Sequence, residues 1–227
     1  MQACEVEHVD FYFDLMCPYA YQTSKWIREV RARTGLEISW RFFSLEEINR
    51  VEGKKHPWER EWSYGWSQMR VGALLRRQSM ELLDRWYELM GKAFHEDGIP
   101  TQQPAEHARL LGELGQPADT LERAIADAST HDDVRHDHDE VVGTYGAYGV
   151  PVLVFPNDRA FFGPVVAPPP RGDDAIRLWE LVVGLTEFPD FYELNQPKRV
   201  EDKLRIAELF EPYLRARTWK TIQHPAP

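Results

Sequence analysis

Two hydrophobic periods divide the chain. Residues 8–14 (His-Val-Asp-Phe-Tyr-Phe-Asp) alternate and are rich in aromatic and β-branched side chains, which predicts a strand, and residues 37–43 alternate in the same way. Between them Tyr21, Trp26, Ile27 and Val30 recur at helical spacing, with Pro18 suited to a first helical position and Gly35 to a stop, so residues 18–33 read as a helix. Long amphipathic stretches follow at 58–80, 81–95, 104–114 and 117–145, predicting a helical insertion. Residues 150–155 then form a β-rich run, Asn157-Asp158 a turn, 160–162 a further strand, 173–185 a helix and 200–217 a last helix, ahead of a polar, Pro-containing tail. The order is a βαβ unit, a helical insertion and a ββα unit, and the parallel crossover of the first unit is right-handed almost without exception.

Composition narrows the function. A chain of 227 residues forms one large domain or one domain with an insertion. With 27 basic and 37 acidic residues the net charge is −10, which removes the electrostatic pull toward a phosphate backbone, so nucleic acid is not an expected partner. No apolar run approaches the roughly 20 residues that span a bilayer, and residues 1–14 lack a signal-peptide pattern, so a cytoplasmic protein is expected. Two cysteines exclude a disulfide scaffold, and in a reducing compartment Cys4 and Cys17 are expected to be free or reactive.

Cys17 directly follows the first strand and opens the first helix, in Cys17-Pro18-Tyr19-Ala20. Unpaired N–H groups and the positive end of a helix favour a thiolate, the nucleophilic form of cysteine, so a lowered Cys17 pKa is expected. Gly149-Val150-Pro151 stands directly ahead of a strand, where an X-Pro bond is a cis candidate and free backbone groups offer a platform for an extended substrate. A βαβ and a ββα unit with a cysteine at the first helix start make a thioredoxin-type α/β arrangement.

At these residues the chain resembles the DsbA-like thioredoxin-fold family, and within it the mycothiol-dependent nitroreductase subgroup. The resemblance runs from about Val9 to Arg199 through Asp10-Phe11-Tyr12-Phe13-Asp14, Cys17-Pro18-Tyr19, Thr23-Ser24-Lys25-Trp26, Trp66 with Arg70-Val71, Met90-Gly91 with His95, Gly149-Val150-Pro151, Phe161-Phe162-Gly163-Pro164, Pro170-Arg171-Gly172 and Phe191-Tyr192-Glu193-Leu194. It implies a thioredoxin-like domain over 1–48 and 149–199, an inserted helical domain over 49–148 and a C-terminal extension over 200–227. It also implies a thiol-disulfide oxidoreductase with no tightly bound cofactor, whose cosubstrate is a low-molecular-weight thiol such as mycothiol or glutathione. Pro18, Tyr19, Ala20, Val150, Pro151, Trp66, Arg70, His95, His138 and Arg171 are the candidate substrate- or thiol-binding residues around the nucleophile Cys17. A small thiol and a small-molecule or disulfide substrate are the expected partners, and the pattern is compatible with a homodimer.

One departure from the family pattern changes the chemistry. The second cysteine of Cys-Pro-x-Cys is replaced by Ala20. A dithiol site resolves its own mixed disulfide, whereas a single sulfur must wait for an external thiol. Cys4 lies at the far end of the first strand, roughly 20 Å from Cys17 at about 3.3 Å per residue, beyond disulfide reach. Monothiol redox chemistry is therefore expected; a thiol-dependent isomerase or transferase and a non-catalytic binding homologue are the alternatives.

Other motifs weigh less. Trp58, Trp62 and Trp66 at i, i+4 and i+8 predict one face of a helix, serving core packing or an aromatic wall for a planar substrate. His131, His136 and His138 resemble metal ligands, but on a helix the last two point about 200° apart, so no metal site is expected. Tyr19 is expected to shape access to Cys17, and Arg171, at the end of a stiff Pro168-Pro169-Pro170 connector, to meet an anionic part of a small thiol.

Overall fold

The computed structural model describes residues 6–217. At its centre lies a four-stranded sheet of β1 (His8–Phe13), β2 (Glu37–Phe42), β3 (Val152–Val154) and β4 (Ala160–Phe162), in the order β2-β1-β3-β4. β1 is parallel to β2, pairing His8 with Glu37 through to Phe13 with Phe42, and antiparallel to β3, pairing Tyr12 with Val152. The two strands that lead into and out of the site are thus the central neighbours.

Helix α1 (Pro18–Thr34) joins β1 to β2. Cys17 caps it, Pro18 opens it with a fixed φ, and Gly35 ends it at φ +77°, donating its N–H to the Arg31 carbonyl. Arg31 and Arg33 in the last turn complement the negative end of the dipole.

Alternation along β1 sorts its side chains to two faces. On one, Phe11 meets Trp40 edge-on at 5.0 Å and Phe13 stacks on Tyr87 at 3.9 Å. Burying a Phe side chain contributes about 1.5–3 kcal/mol, so this aromatic group is a principal source of stability. Trp26 packs beside Trp179 on the same side of the molecule and donates its indole N–H to the Ala175 carbonyl at 3.0 Å. On the other face the Tyr12 hydroxyl donates to Glu140. The outer edge of β2 is closed by buried Asp137, which accepts the Phe42 N–H at 2.9 Å and pairs with Arg76, and by His138, whose Nδ1 accepts the Ser44 N–H at 3.2 Å.

Between β2 and β3 the chain forms α2 (Leu45–Ile48), a 3₁₀ turn (Pro57–Glu59), α3 (Trp66–Arg76), α4 (Met80–His95), α5 (Pro104–Glu113), α6 (Thr120–Ala126) and α7 (Ser129–Tyr145). The expected continuous helix over 58–80 is therefore broken. Pro57 opens only one turn, and regular helix begins after Gly65, so Trp58, Trp62 and Trp66 do not share a helix face, although the Trp58 and Trp66 rings still meet at 5.2 Å. Ser79 then starts α4 by accepting the Leu82 N–H. The expected helix over 117–145 is likewise split, at Asp127, whose side chain accepts the Ser129 N–H and competes with helical pairing.

After β4 come α8 (Asp173–Leu185), α9 (Val200–Leu209) and α10 (Glu211–Ala216). The expected last helix breaks at Phe210, with Pro212 in the first turn of α10. Among the described residues no helix is long and apolar enough to cross a membrane.

Helix α4 approaches α1 so closely that a Cβ on Gly91 would lie 2.3 Å from two ring carbons of Tyr21. Gly91→Ala is expected to destabilise the chain by about 1–3 kcal/mol in urea unfolding. Gly143, exposed in α7 with open space around it, is the matched control: its replacement by Ala should add about 0.5–1 kcal/mol.

Candidate functional site around Cys17

The end of β1, the start of α1 and the loop entering β3 meet at one sulfur. Cys17 Sγ accepts the Ala20 N–H at 3.4 Å, and its thiol donates to the Val150 carbonyl at 3.7 Å. Pro18 occupies the first helical position and Ala20 is fully buried. The Val150–Pro151 bond is cis, and the Pro151 carbonyl accepts the Gly163 N–H at 2.9 Å, tying the loop to the end of β4.

Two buried side chains hold the turn that presents Cys17. The Asp14 carboxylate accepts the Met16 N–H at 2.8 Å and the Leu45 N–H at 2.7 Å, while the Asp14 carbonyl accepts the Cys17 N–H at 3.0 Å. Burial raises the Asp14 pKa to about 7, against the two amides that favour its anion. His95 Nε2 lies 2.9 Å from the Leu15 carbonyl, and its ring stacks on Tyr21 at 5.0 Å. Burial lowers the His95 pKa to about 4, so near neutrality the ring is uncharged and donates from Nε2–H to that carbonyl.

The expectation of a stabilised thiolate is overturned. Cys17 is only 7% exposed, and burial pushes its pKa up to about 12, with Asp14 adding to the rise. The amides of Ala20 and Tyr19 act in the opposite direction and lose. A helix start is present, but the sulfur is cut off from the water an anion needs.

The remaining expected site residues divide. Tyr19 is half-buried near Cys17, its ring edge-on to Phe210 at 4.9 Å and below the Lys198 ammonium at 5.6 Å. Trp66 is buried in the insertion and donates its indole N–H to His131 Nδ1 at 2.8 Å. Arg70 is buried too: Nε donates to Thr130 Oγ1 at 2.8 Å and Nη2 to the carbonyls of Ile125 and Asp127, so its guanidinium ties α3 to the α6–α7 junction. His138 packs on Phe43 and holds the chain leaving β2. These polar contacts lie within the insertion or between it and β2, and none involves the sulfur. Arg171 is exposed and lines a cleft of about 280 Å³ with Lys25, Arg28 and Pro170. Lys25 lies eight residues along α1 from Cys17, roughly 12 Å at the helical rise, so this cleft is separate from the thiol. Among the described residues no three His, Cys, Asp or Glu side chains gather for a metal, and Cys4 lies outside the described residues.

Four further residues surround the turn. Asp14 anchors it, and Phe94, Phe210 and Tyr213 pack with Met16, the residue before Cys17. Asp14 was legible as an acidic residue closing an apolar strand three positions before Cys17. Phe210 and Tyr213 carry an i, i+3 apolar spacing, but that pattern does not say which surface it meets.

The fold and site define a DsbA-like thioredoxin-fold protein. A probable DsbA oxidoreductase, SCO1869 from Streptomyces coelicolor, superposes with a TM-score of 0.55 at 18% identity, over 84% of this chain and 94% of that one. 2-Hydroxychromene-2-carboxylate isomerase gives 0.59 at 16% identity over 79% and 95%, and the cytosolic disulfide reductase DsbM from Pseudomonas aeruginosa 0.53 at 15% over 78% and 99%. More narrowly, the profile of the Rv2466c-like family, described as mycothiol-dependent nitroreductase Rv2466c, matches residues 16–196, and the chain belongs to that family. It is also 55% identical to the uncharacterized protein Rv2286c of Mycobacterium tuberculosis over 214 residues, 94% of this chain and 92% of that protein.

A thiol with so high a pKa leaves a kinetic signature. In a Cys4→Ser background the rate of Cys17 alkylation by iodoacetamide should rise about tenfold per pH unit from about pH 7 to about pH 10 without levelling off, because the thiolate fraction keeps growing. A plateau already reached near pH 7 would mean an activated thiolate instead.

Proposed function

We propose that this protein is a monothiol oxidoreductase of the cytoplasm, in which Cys17 exchanges electrons between a low-molecular-weight thiol, mycothiol in the first instance, and a small-molecule or disulfide substrate. The observation that carries this reading is the single sulfur at the start of α1, between the Ala20 amide and the Val150 carbonyl, with the methyl group of Ala20 where a resolving thiol would stand. Membership of a family described as mycothiol-dependent supports the choice of thiol.

The chemistry balances on one protein sulfur. With a disulfide substrate, the Cys17 thiolate attacks one sulfur, the S–S bond breaks, one half leaves as a thiolate that takes up a proton, and Cys17 is left in a mixed disulfide. A mycothiol thiolate then attacks that mixed disulfide, restores Cys17 and carries off the other half. With a nitro substrate the same count holds: R′NO₂, one RSH and Cys17–SH give R′NO, Cys17–S–S–R and water, and a second RSH releases RSSR and free Cys17. The Val150 backbone, held by the following Pro151, offers the bound thiol a strand-like partner beside the sulfur.

Intact mass spectrometry after incubation with oxidised mycothiol tests the assignment. A single mycothiol adduct should form, persist in Cys4→Ser and vanish in Cys17→Ser. In Ala20→Cys the adduct should give way to an internal disulfide two mass units lighter than the reduced chain, since a nearby second thiol displaces the small one. Thiol-dependent turnover of an electrophile that survives Cys17→Ser would instead establish a transferase or isomerase in which the bound thiol supplies the reacting sulfur.

A further inference from the structure

The segment after the family match continues across the site. From Glu187 to Arg199 the chain forms no regular element and every residue except Phe191, which rests on Phe161, is exposed. Helix α9 buries no residue. Helix α10 and the residue before it then dock through Phe210, Tyr213 and Ala216 on Met16 and Phe94, a small cluster separate from the main core, with Tyr19 packing against both. Tyr213 meets Phe94 edge-on at 5.4 Å and His95 at 5.4 Å, and Phe210 covers the Tyr19 ring. Gln102 Nε2 donates to the Ala216 carbonyl at 3.1 Å, and Gly98 leaves room for Arg215 and the Pro212 carbonyl. The residues under this cap are Met16, directly before Cys17, and Tyr19, two positions after it.

We propose that Phe210 and Tyr213 are access-determining residues for Cys17: α9 and α10 form a hinged cap, swung on the 187–199 connector, that shields the thiol when docked and admits reactants by size when it lifts. A small separate apolar patch on an irregular, exposed tether is the arrangement that opens at lower cost than the core. Phe210 and Tyr213 are the two large side chains that the segment buries in the contact, beside partly buried Ile206, Leu209 and Leu214, so they set how often it opens. The inference rests on Cys17 being the reacting group, and it decides which molecules that group meets.

The test is alkylation of Cys17 in the Cys4→Ser chain by iodoacetamide and by a bulky maleimide–polyethylene glycol, with and without Phe210→Ser and Tyr213→Ser. The cap should hold the parent's rate low for both reagents and lowest for the bulky one. The double variant should react at least about tenfold faster, the change expected for a loss of about 1.4 kcal/mol of docking energy, with the larger gain for the bulky reagent. Equal rates in parent and variant would overturn the cap. Hydrogen exchange on the unmodified chain supplies a second arm that needs no variant: amides of α10 should exchange well before those of α1, and equal protection would overturn the proposal even if the variant failed to fold. An exposed thiol in the variant that still forms no mycothiol adduct would leave the cap standing and refute the redox reading.

Discussion

Cys17 Sγ stands between two opposed environments. The helix start and the Ala20 amide favour its anion, by about 0.3–2 kcal/mol for a helix terminus, while the surrounding side chains exclude water. A pKa of about 12 in place of 9.0 corresponds to about 4 kcal/mol against ionisation, so burial outweighs the helix. The parts that hold the sulfur there are themselves buried and polar: Asp14 fixes the turn through two amides, and neutral His95 fixes the Leu15 carbonyl. Each is desolvated and each bonds to the backbone of the turn, and the buried thiol remains protonated near neutrality.

Sheet order explains why these groups meet. β1 delivers Asp14 and Cys17 at its end, and β3, its antiparallel neighbour, begins at the same end with Val150 and Pro151. The insertion therefore leaves from one side of this junction and returns to the other, and His95 at the end of α4 reaches back to it. Arg70 and His138 instead anchor the insertion to itself and to the edge of β2. They hold that body in place through hydrogen bonds that do not involve the sulfur.

Much of this was legible because it is local. The period-two and period-3.6 segments, Pro18 and Gly35 at the ends of α1, and Cys17 at a strand-to-helix junction depend on residues close in sequence. The breaks in the insertion were not legible in the same way, since the apolar period continues through Ser63 to Gly65 and past Asp127 while the backbone does not. The sign of the Cys17 shift was hidden for a different reason. A helix start can be read from sequence, but the burial that overrides it comes from the main apolar cluster in which Cys17 lies, whose members, Tyr87 and Leu153 among them, are tens to more than a hundred residues away and without a local signature.

In the monothiol cycle proposed above, the raised pKa also bears on the second half. A thiol of high pKa makes a strong nucleophile once ionised, but a poor leaving group, because the same environment that disfavours the anion disfavours its release. With Ala20 beside it, no second cysteine among the described residues can compensate, and in that cycle a mixed disulfide on buried Cys17 would be slow to resolve. Both halves of the cycle, attack by Cys17 and its displacement by the external thiol, then gain from the same change, contact of the sulfur with water. One physical variable, the hydration of a single sulfur atom, therefore sets the rate of formation and the rate of resolution together. In a dithiol site these are separate quantities tuned by two cysteines, and the loss of the second sulfur at Ala20 merges them into one.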